Sequence, residues 1–351
     1  MKILHTGDLH LDSIMESNYD PALASQRRRE LLNTFGRMVD YAAQNGVKVF
    51  LIAGDLFDTA HPAPDTERYV MEYMASHPEI DFLCLNGNHN EGFFPSNPPA
   101  NFKTFPKKEF GAYRYGNVVI WGSESNAAYH TLSLDENDVN IVTLHGQIAD
   151  TITDLSLINL KFYQNKNIDY LALGHYHRNR VESLDERGTW AYCGTPEGRG
   201  FDETGEKGFM LLETEGRRVS SVFIPFAKRT IHIVSVDISR LFSQREIEKK
   251  VYELIQGIPK QDIIRVTLRG IAAPELNKDV KQLYTALEDR FFFVSVVDES
   301  SLVLHPDSYE HDVSLRGEFV RTVLQSGLSK ADCDRIIRCG IQALNGEEID
   351  E

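Results

Sequence analysis

The chain of 351 residues is 42% hydrophobic and 25% charged, a balance typical of globular proteins that fold as two or three units. Its formal charge of −15, from 37 basic and 52 acidic residues, is opposite in sign to that of proteins that bind nucleic acid over their whole surface. A polyanionic ligand would therefore need a local basic patch or bound metal ions.

Five short apolar runs in the first part of the chain each end in Asp, Asn or His. They lead into Gly7-Asp8-Leu9-His10, Gly54-Asp55-Leu56-Phe57-Asp58, Gly87-Asn88-His89-Asn90, His145-Gly146 and Gly174-His175-Tyr176-His177. Apolar runs of this length, bounded by glycine, are typical of buried strands. Ligands of open α/β sheets bind beyond the carboxyl ends of the strands. We therefore expect these polar side chains to meet in one cleft, with the oxygen and nitrogen atoms that divalent metals bind.

Two helices are predicted between the first three runs, over about residues 22–45 and 65–76. The apolar positions of the first helix recur at helical spacing, at Leu31, Phe35, Met38 and Ala42. The pair Asn45-Gly46 is typical of a helix C-terminus. This alternation of strands and helices favours βαβ units.

From about residue 117 the chain changes to short predicted strands. We therefore expect a mixed sheet or a two-sheet sandwich flanked by helices. The glycine-rich segment 194–208 follows these strands and is predicted to be a long loop. It forms either an ordinary connection between strands or one wall of the cleft.

A domain boundary is predicted near residue 228, beyond which strands and helices alternate as β-α-β-α-β over about 70 residues. This pattern favours a small α+β unit. Its sequence has no cluster of metal-ligating residue types, which favours a cap or specificity element. From about residue 310 the chain is predicted to be helical, and these helices either pack on their own domain or dock on a partner. The expected domains are a main domain (1–227), a capping domain (228–300) and a helical C-terminal tail (301–351).

The cysteine content indicates the cellular compartment. Cys84, Cys193, Cys333 and Cys339 form no Cys-x-x-Cys pair, so no disulfide framework is expected. No apolar run approaches the ~18 residues of a membrane span. Met1-Lys2-Ile3 leads directly into the first predicted strand, which leaves no room for a signal peptide. We expect a soluble, cytoplasmic protein.

The five polar blocks, in this order, resemble the signature of the calcineurin-like metallophosphoesterase superfamily over about residues 1–225. The resemblance implies an α/β fold, a four-layer α/β/β/α sandwich, with a small α+β capping domain and a helical C-terminal tail. It also implies an enzyme with a dinuclear metal site, in which Asp55 bridges the two ions. By the same resemblance, one ion is held by Asp8, His10 and His177, and the other by Asn88, His145 and His175. His89 is free of metal and faces the scissile phosphate as the catalytic residue.

The chemistry of such a site is a phosphoryl displacement. Two metal ions ~3.5–4 Å apart clamp the attacking and leaving oxygens, and a metal-bound hydroxide attacks the phosphate in line. His89 would assist the leaving oxygen with a proton or a hydrogen bond. A ligand set of imidazole, carboxylate and amide groups suits Mn²⁺, Fe or Zn²⁺, and the family resemblance favours two Mn²⁺ ions.

Two further residues are expected to support the ligands without binding metal. Asp58 ends the second block, and Asn90 ends the third block, where the superfamily usually has Asp or Glu. An amide accepts a hydrogen bond but adds no charge beside His89. The rate or the pH optimum of the enzyme is therefore expected to suffer.

Residues outside the ligand positions indicate the substrate. Phosphoprotein phosphatases of the superfamily have Arg after the second and third blocks, whereas this chain has Asp58-Thr59-Ala60 and Asn90-Glu91-Gly92. Segments 193–201 and 205–209 and the appended cap resemble the SbcD-type DNA double-strand-break repair nucleases. Segment 315–321 is similar to a YhaO-like branch of DNA repair exonucleases. The resemblance implies DNA as substrate, an SbcC-type coiled-coil ABC ATPase as partner, and a homodimer.

The side chains that would bind DNA are less defined by the sequence. Arg178, Arg180 and Arg199 adjoin the metal-bearing strands or the glycine-rich segment and are the preferred phosphate-binding candidates. Other basic runs, such as Arg27-Arg28-Arg29 and Lys107-Lys108, are more typical of a solvated face. Three hypotheses stay open: a Mn²⁺-dependent nuclease acting on DNA ends (exonuclease or endonuclease), a phosphoesterase for a small nucleotide or monoester, and a weakly active scaffold that positions DNA ends for an ATPase.

Overall fold

The computed structural model describes residues 1–15, 19–150, 157–272, 276, 278–302, 309 and 312–344. The chain divides into two compact units, Met1–Ile231 (unit 1) and His232–Glu351 (unit 2). The sequence predicts a first boundary after residue 227 and a second one after residue 300. Within the described ranges, no helix combines the length and the apolar character needed to cross a bilayer.

The described part of unit 1 forms two β-sheets flanked by helices. In chain order, its elements are β1 (Lys2–Thr6), α1 (Pro21–Gln44), β2 (Val47–Ala53), α2 (Pro64–Ala75), β3 (Asp81–Leu85), β4 (Phe102–Thr104), β5 (Gly111–Tyr115), β6 (Val118–Gly122), β7 (Val139–His145), β8 (Tyr170–Gly174), β9 (Arg180–Ser183), β10 (Thr189–Tyr192), β11 (Gly208–Glu215) and β12 (Arg218–Pro225). The first sheet has the order β12-β11-β1-β2-β3-β4 and the second the order β5-β6-β7-β8-β10-β9. Strands β1 to β4 are parallel to one another, as are β6, β7, β8 and β10.

The two sheets pack face to face through one hydrophobic core. Val49 and Leu51 of β2 point into this core, together with Ile141 of β7. Because side chains alternate along a strand, Phe50 faces the other side, where its ring centroid lies 6.2 Å from that of Phe35 on α1. Strand β2 is thus buried on both faces, which explains its almost continuous apolar sequence. The predicted two-sheet sandwich flanked by helices is confirmed.

The helix α1 shows how the local sequence sets its bounds. Its N-cap is Asp20, whose side chain accepts hydrogen bonds from the backbone nitrogens of Ala22 and Leu23 at 2.9 and 3.0 Å. The helix ends at Gln44, and Gly46 follows with a φ of +70°. The predicted apolar face is buried, at Leu31, Phe35, Met38 and Ala42. Helices α1 and α2 are therefore confirmed to within one residue of their predicted bounds.

The outer face of the second sheet is covered in a different way. Two 3₁₀ turns, Asn126–Thr131 and Leu160–Phe162, lie in its vicinity. Their apolar side chains belong to the same cluster as Leu144, Leu173 and Trp190 of the sheet. In the part of the chain that the structure describes, short turns thus take the place of long helices in this layer.

A buried ion cluster joins α1 to the segments around residues 197 and 229. Arg27 has no exposed surface and bonds to Glu30, while its Nη2 atom lies 3.3 Å from Oε2 of Glu197. Glu30 also accepts a hydrogen bond of 2.6 Å from Nη2 of Arg229. Arg27 is therefore a core residue, and the expectation of a solvated basic face is wrong at this position.

The cluster holds Glu30 in its ionised form. Burial alone would raise the pKa of this carboxyl, but the hydrogen bond from Arg229 and the charge of Arg27 lower its pKa from 4.5 to about 2. A carboxyl whose pKa is depressed by folding stabilises the protein above its unfolded-state pKa. The stabilisation by Glu30 is therefore complete above about pH 4.5 and is lost as the pH falls towards 2.

The substitution Glu30→Gln is expected to lower the free energy of unfolding by about 3–5 kcal/mol at pH 7, because it removes one partner of a buried ion cluster. Urea unfolding measures this loss, and the difference from wild type should narrow below about pH 4.5. Glu213→Gln is the matched control, since Glu213 pairs with Lys2 at the surface (3.3 Å), where an ion pair contributes about 0–1 kcal/mol. Equal effects of the two substitutions would contradict the role of the cluster.

The second part of the chain contains short strands followed by two helices. Its elements are β13 (Ile231–Asp237), α3 (Gln244–Leu254), β14 (Ile263–Arg269), β15 (Ile271–Ala272), α4 (Val280–Leu287), β16 (Phe293–Asp298), β17 (Ser301–Leu302), α5 (Leu315–Leu324) and α6 (Lys330–Leu344). Strands β13, β14 and β16 form one sheet, and β15 pairs with β17. Helices α3 and α4 share an apolar cluster with this sheet, whereas α5 and α6 have a cluster of their own. The predicted β-α-β-α-β order is confirmed for β13, α3, β14, α4 and β16, and the short strands β15 and β17 are additions to it. The helical C-terminal region is confirmed.

Candidate metal centre

The polar blocks that the sequence analysis singled out lie at the carboxyl ends of five strands. The blocks that begin at Gly7, Gly54 and Gly87 follow β1, β2 and β3, which are neighbours in the first sheet. His145 ends β7, and the block that begins at Gly174 starts at the last residue of β8, its neighbour in the second sheet. Parallel neighbours have their carboxyl ends at the same edge of a sheet, so the face-to-face sheets bring all five blocks together.

A hydrogen-bonded link joins the two sheets at this edge. Both carboxylate oxygens of Asp8, after β1, accept from the backbone nitrogen of His175, after β8, at 2.9 and 3.0 Å. The backbone is left-handed at Asp8 (φ +50°), His10 (+46°), Asp55 (+49°) and His175 (+99°). Non-glycine residues adopt this conformation rarely and at a cost, and such residues cluster at functional sites.

Two glycines permit the close approach of the ligands. A Cβ atom at Gly54 would lie 2.0 Å from Nδ1 of His145, and one at Gly87 would lie 2.2 Å from Oδ1 of Asp55. Any larger residue at either position would displace a side chain of the centre. The glycines at these blocks are therefore required by packing against the ligands themselves.

The first candidate position is formed by Asp8, His10 and His177, whose ligand atoms lie within 4.8 Å of one another. Nδ1 of His10 is 2.7 Å from Oδ1 of Asp58, so this carboxylate holds the ring and turns Nε2 towards the centre. Nε2 of His10 is buried and, among the described residues, has no hydrogen-bond partner. An unpaired buried nitrogen is costly, and a metal ion at this position would satisfy it.

The second candidate position is formed by Asn88, His145 and His175. Oδ1 of Asn88 lies 2.9 Å from Nε2 of His145 and 3.1 Å from Nδ1 of His175. Nδ1 of His145 lies 2.9 Å from the carbonyl oxygen of Ala53 and can donate to it. Nε2 of the same ring faces Oδ1 of Asn88 and Oδ2 of Asp55, and a cation between these atoms would stabilise the arrangement.

Asp55 lies between the two positions. Its Oδ2 atom is 3.3 Å from Nε2 of His145 and 3.9 Å from Nε2 of His10, and its Oδ1 atom accepts from the backbone nitrogen of His89 at 3.0 Å. Burial would raise the pKa of this carboxyl, but the hydrogen bond and charge of His145 and the charge of His10 lower its pKa to about 2. Asp55 is thus an ionised carboxylate placed to reach both positions.

The pKa of His145 also indicates that this place favours positive charge. Burial lowers the pKa of this imidazole, but the hydrogen bond to Asp55 and the charge of Asp8 outweigh burial and raise it. The carboxylates of the centre therefore favour positive charge at this place, which suits a bound cation.

His89 lies next to the first candidate position: its ring centroid is 4.9 Å from that of His10, and His10, Asp58 and His89 each place a possible ligand atom within 4.8 Å of the others. The side chain of His89 is 47% exposed, and Nδ1 lies 3.4 Å from Oδ1 of Asp58. Asn90 is fully buried and shapes the loop instead: its Oδ1 atom accepts from the backbone nitrogen of Gly87 at 2.8 Å, and its Nδ2 atom donates to Asn86 at 3.3 Å. The carboxylate beside His89 is thus supplied by Asp58 of the second block, so Asn90 does not leave His89 without a neighbouring negative charge.

Two contacts to the ligands are not predicted by the sequence. Oε1 of Glu203, in the glycine-rich segment, lies 2.7 Å from Nδ1 of His177. The carbonyl of Ala53 holds His145 in the same manner. A backbone carbonyl leaves no trace in a sequence, and no spacing distinguishes Glu203 from the exposed Asp202 and Glu206 nearby.

The basic side chains proposed for DNA binding lie in different surroundings. The side chain of Arg199 is 17% exposed and pairs with Glu203 at 2.8 Å. Arg180 is exposed and pairs with Glu182 at 2.6 Å, and Arg178 is exposed next to His177. A cavity of about 640 Å³ adjoins the second candidate position. Its lining includes Asn88, His145, His175, Lys107 and Lys108.

The profile of the calcineurin-like phosphoesterases matches residues 1–179, about half of the chain. The chain belongs to this family. The resemblance expected from the five blocks is thereby confirmed, and with it the expectation of a metal-dependent phosphoesterase.

Individual relatives extend the similarity beyond this domain. The DNA double-strand break repair protein Mre11 of Sulfurisphaera tokodaii is 25% identical over 80% of this chain and 77% of its own length. The uncharacterized metallophosphoesterase YhaO of Bacillus subtilis is 24% identical over 78% of this chain and 73% of its own. Among solved structures, a dimetal phosphatase from Danio rerio aligns with a TM-score of 0.42 at 10% identity, over 64% of this chain and 98% of that one.

Gly87→Ala tests the packing of the centre. The added methyl group would displace the Asp55 carboxylate, so we expect Mn²⁺ to bind at least about 10-fold more weakly, the lower end of the effect seen when a metal ligand loses its support. Isothermal titration calorimetry measures the affinity. The control is Gly216→Ala, at a turn with open space around it, which costs stability through its φ of +58° but should bind Mn²⁺ as the wild type does. Unchanged affinity in Gly87→Ala would show that Asp55 is not needed where the structure places it.

Proposed function

We propose that this phosphoesterase is a two-metal phosphodiesterase that cleaves DNA, as the exonuclease subunit of a DNA repair system. The observation that carries the proposal is the position of the Asp55 carboxylate, whose Oδ2 atom lies 3.3 Å from Nε2 of His145 and 3.9 Å from Nε2 of His10, one histidine of each ligand set. The similarity to a double-strand break repair protein over most of both chains supports DNA as the substrate.

The proposed metal ligands comprise three types of side chain and no thiolate. The first ion is held by Asp8, His10 and His177, the second by Asn88, His145 and His175, and Asp55 bridges them. This mixed set of oxygen and nitrogen donors suits Mn²⁺, with Fe or Zn²⁺ as alternatives. When bound, two such ions lower the pKa of water and neutralise charge on the transferring phosphoryl group.

The side chains around the ions have separate tasks. The imidazole of His89, half exposed beside Asp58, is placed to donate a proton or a hydrogen bond to the departing oxygen. Asp58 orients this ring and also holds His10, since its Oδ1 atom lies 2.7 Å from Nδ1 of His10. Asp55 fixes the spacing of the two ligand sets because its Oδ2 atom faces both.

The net charge of −15 requires that DNA be held locally. The cavity beside Asn88 offers a place for it, because Lys107 and Lys108 line it and both are exposed. Two carboxylates also line the cavity, those of the exposed Glu91 and of Glu124, and Glu124 accepts a hydrogen bond of 2.8 Å from Nδ2 of Asn86. We propose that the two lysines neutralise phosphates of the bound strand, with Arg178 and Arg180 as further exposed candidates.

A phosphoesterase for a small nucleotide is the second candidate function. The cavity volume of about 640 Å³ falls in the range of ordinary small-ligand sites (roughly 300–1,000 Å³) and would accept a single nucleotide.

A coiled-coil ABC ATPase of the SbcC type is the proposed partner of the DNA-cleaving enzyme, and a homodimer is its proposed assembly. Both rest on the similarity to repair proteins.

His89→Gln is expected to lower the rate of DNA cleavage by about 10²–10⁴-fold, because it removes the proton donor for the leaving oxygen. Linear duplex and single-stranded DNA with Mn²⁺ are the substrates, and calorimetry should show that Mn²⁺ binding is retained. The exposed His130 supplies the control His130→Gln, with wild-type cleavage expected. A fully active His89→Gln enzyme would overturn the assigned role.

The wild-type enzyme distinguishes the other hypotheses in the same assay. Turnover of a generic phosphodiester dye without loss of DNA would favour the small-nucleotide enzyme. Two bound ions without turnover of either substrate would favour a DNA-end-binding scaffold.

The double substitution Lys107→Ala/Lys108→Ala is expected to raise the KM for DNA with little change in kcat. The negative slope of log affinity against log salt concentration should become less steep by about 1.4–1.8, because two phosphates lose their basic partners. Lys249→Ala/Lys250→Ala is the matched control, a pair of exposed neighbours on α3. If both double variants keep the wild-type salt slope, the strand does not lie along Lys107 and Lys108.

A further inference from the structure

The glycine-rich loop, residues 194–208, connects β10 to β11 and contacts the first candidate position. Its base is closed by a hydrogen bond of 3.1 Å from the backbone nitrogen of Gly208 to the carbonyl of Thr195. Lys207 is buried, and its Nζ atom donates a hydrogen bond of 2.6 Å to the carbonyl of His177. Oε1 of Glu203 lies 2.7 Å from Nδ1 of the same histidine. The loop therefore holds both the backbone and the ring of His177.

Glu203 is itself held on several sides. Only 3% of the residue is exposed. Its Oε2 atom accepts from the backbone nitrogen of Arg199 at 2.8 Å, and its Oε1 atom accepts from Nη2 of Arg199 at the same distance. A buried carboxylate fixed by two donors of one residue gives the imidazole of His177 a single orientation.

Arg199 extends this arrangement to the second block. Its Nη1 atom lies 3.6 Å from Oδ1 of Asp58, the atom that also faces Nδ1 of His10 at 2.7 Å. One guanidinium thus lies between two carboxylates, Glu203 and Asp58, each of which holds a histidine. The planar fork of arginine can serve both at once, which the point charge of lysine cannot do equally well.

The other end of the loop is anchored to α1. Oε1 of Glu197 accepts from the hydroxyl of Thr34 at 2.8 Å, and the carbonyl of Gly198 accepts from Nη2 of Arg27 at 2.9 Å. These groups are buried. Arg199 directly follows this anchor, so its position is set by the core and not by solvent-exposed chain.

We propose that Glu203 and Arg199 are the positioning residues of the first metal position, where they orient His177 directly and His10 through Asp58. The second position does not depend on them, because His145 is held by the backbone carbonyl of Ala53. The inference rests on the proposed two-metal function. It assigns to Arg199 a task within the centre, distinct from direct binding of DNA phosphates.

The experiment measures how many Mn²⁺ ions bind and how tightly each of them binds. Titration of the full chain with Mn²⁺, followed by calorimetry and electron paramagnetic resonance, separates the two sites by affinity and by the signal of a spin-coupled ion pair. Glu203→Ala is expected to weaken one ion by about 10–100-fold and leave the other unchanged. Glu203→Gln should lose less, since its amide oxygen still accepts from Nδ1 of His177. Arg199→Met should weaken the same single ion, and Arg199→Lys should do so to a smaller extent.

The control is Glu206→Gln, which removes the same charge from an exposed position of the same loop and should bind both ions as the wild type does. Folded Glu203→Ala protein that binds both ions with wild-type affinity would overturn the proposal. Equal weakening of both ions would also overturn it, because that result indicates a general structural role. If thermal melting shows that Glu203→Ala does not fold, Arg199→Met and Glu203→Gln decide the question by the same two criteria.

The results that would contradict the proposed function differ from those that would contradict the roles of Glu203 and Arg199. Wild-type protein that binds no Mn²⁺ would contradict the two-metal site itself. Wild-type protein that binds two ions without cleaving DNA would contradict the proposed substrate alone, and the effect of Glu203→Ala on metal affinity could still be measured.

Discussion

The centre depends on one carboxylate, that of Asp55, held ionised between two groups of histidines. Its charge is favoured there because His145 and His10 approach one oxygen from two sides, although the surroundings are buried. The approach is allowed by the two-sheet packing and by the glycines at positions 54 and 87, which leave room for the ligands. The left-handed backbone at Asp8, His10 and Asp55 costs free energy that the rest of unit 1 must supply.

Oxygen atoms behind the histidines complete this arrangement. Asp58 holds His10, Glu203 lies against His177, and the carbonyl of Ala53 faces His145. Such supporting contacts fix which ring nitrogen is free for a metal ion, and they raise the basicity of the ligand. The three supports come from different parts of the fold: a strand end, a long loop and a strand backbone. The glycine-rich loop therefore supports a candidate ligand of the centre and is not only a connection between strands.

The strongly acidic composition is compatible with the proposed DNA substrate only if basic side chains attract the DNA locally. Basic side chains near the centre differ in whether they are exposed enough to attract DNA. Arg199 is occupied by Glu203, whereas Lys107 and Lys108 are exposed and line the cavity beside Asn88. Coulomb attraction between exposed groups is screened within about 10 Å at ordinary ionic strength. Residues close to the centre thus matter more for binding than the net charge of the chain.

The sequence by itself determined the strands, the helices and the five polar blocks, because apolar periodicity, caps and glycine positions are local properties of the chain. Helix α1 and the order of elements in unit 2 followed from those properties. The tertiary structure alone decided which oxygen supports each ligand. Glu203 lies 26 positions from His177 in the sequence. The carboxylate beside His89 belongs to Asp58 and not to residue 90, which is an asparagine. Contacts of this kind depend on how loops and sheets approach in space, and spacing along the chain does not encode that approach.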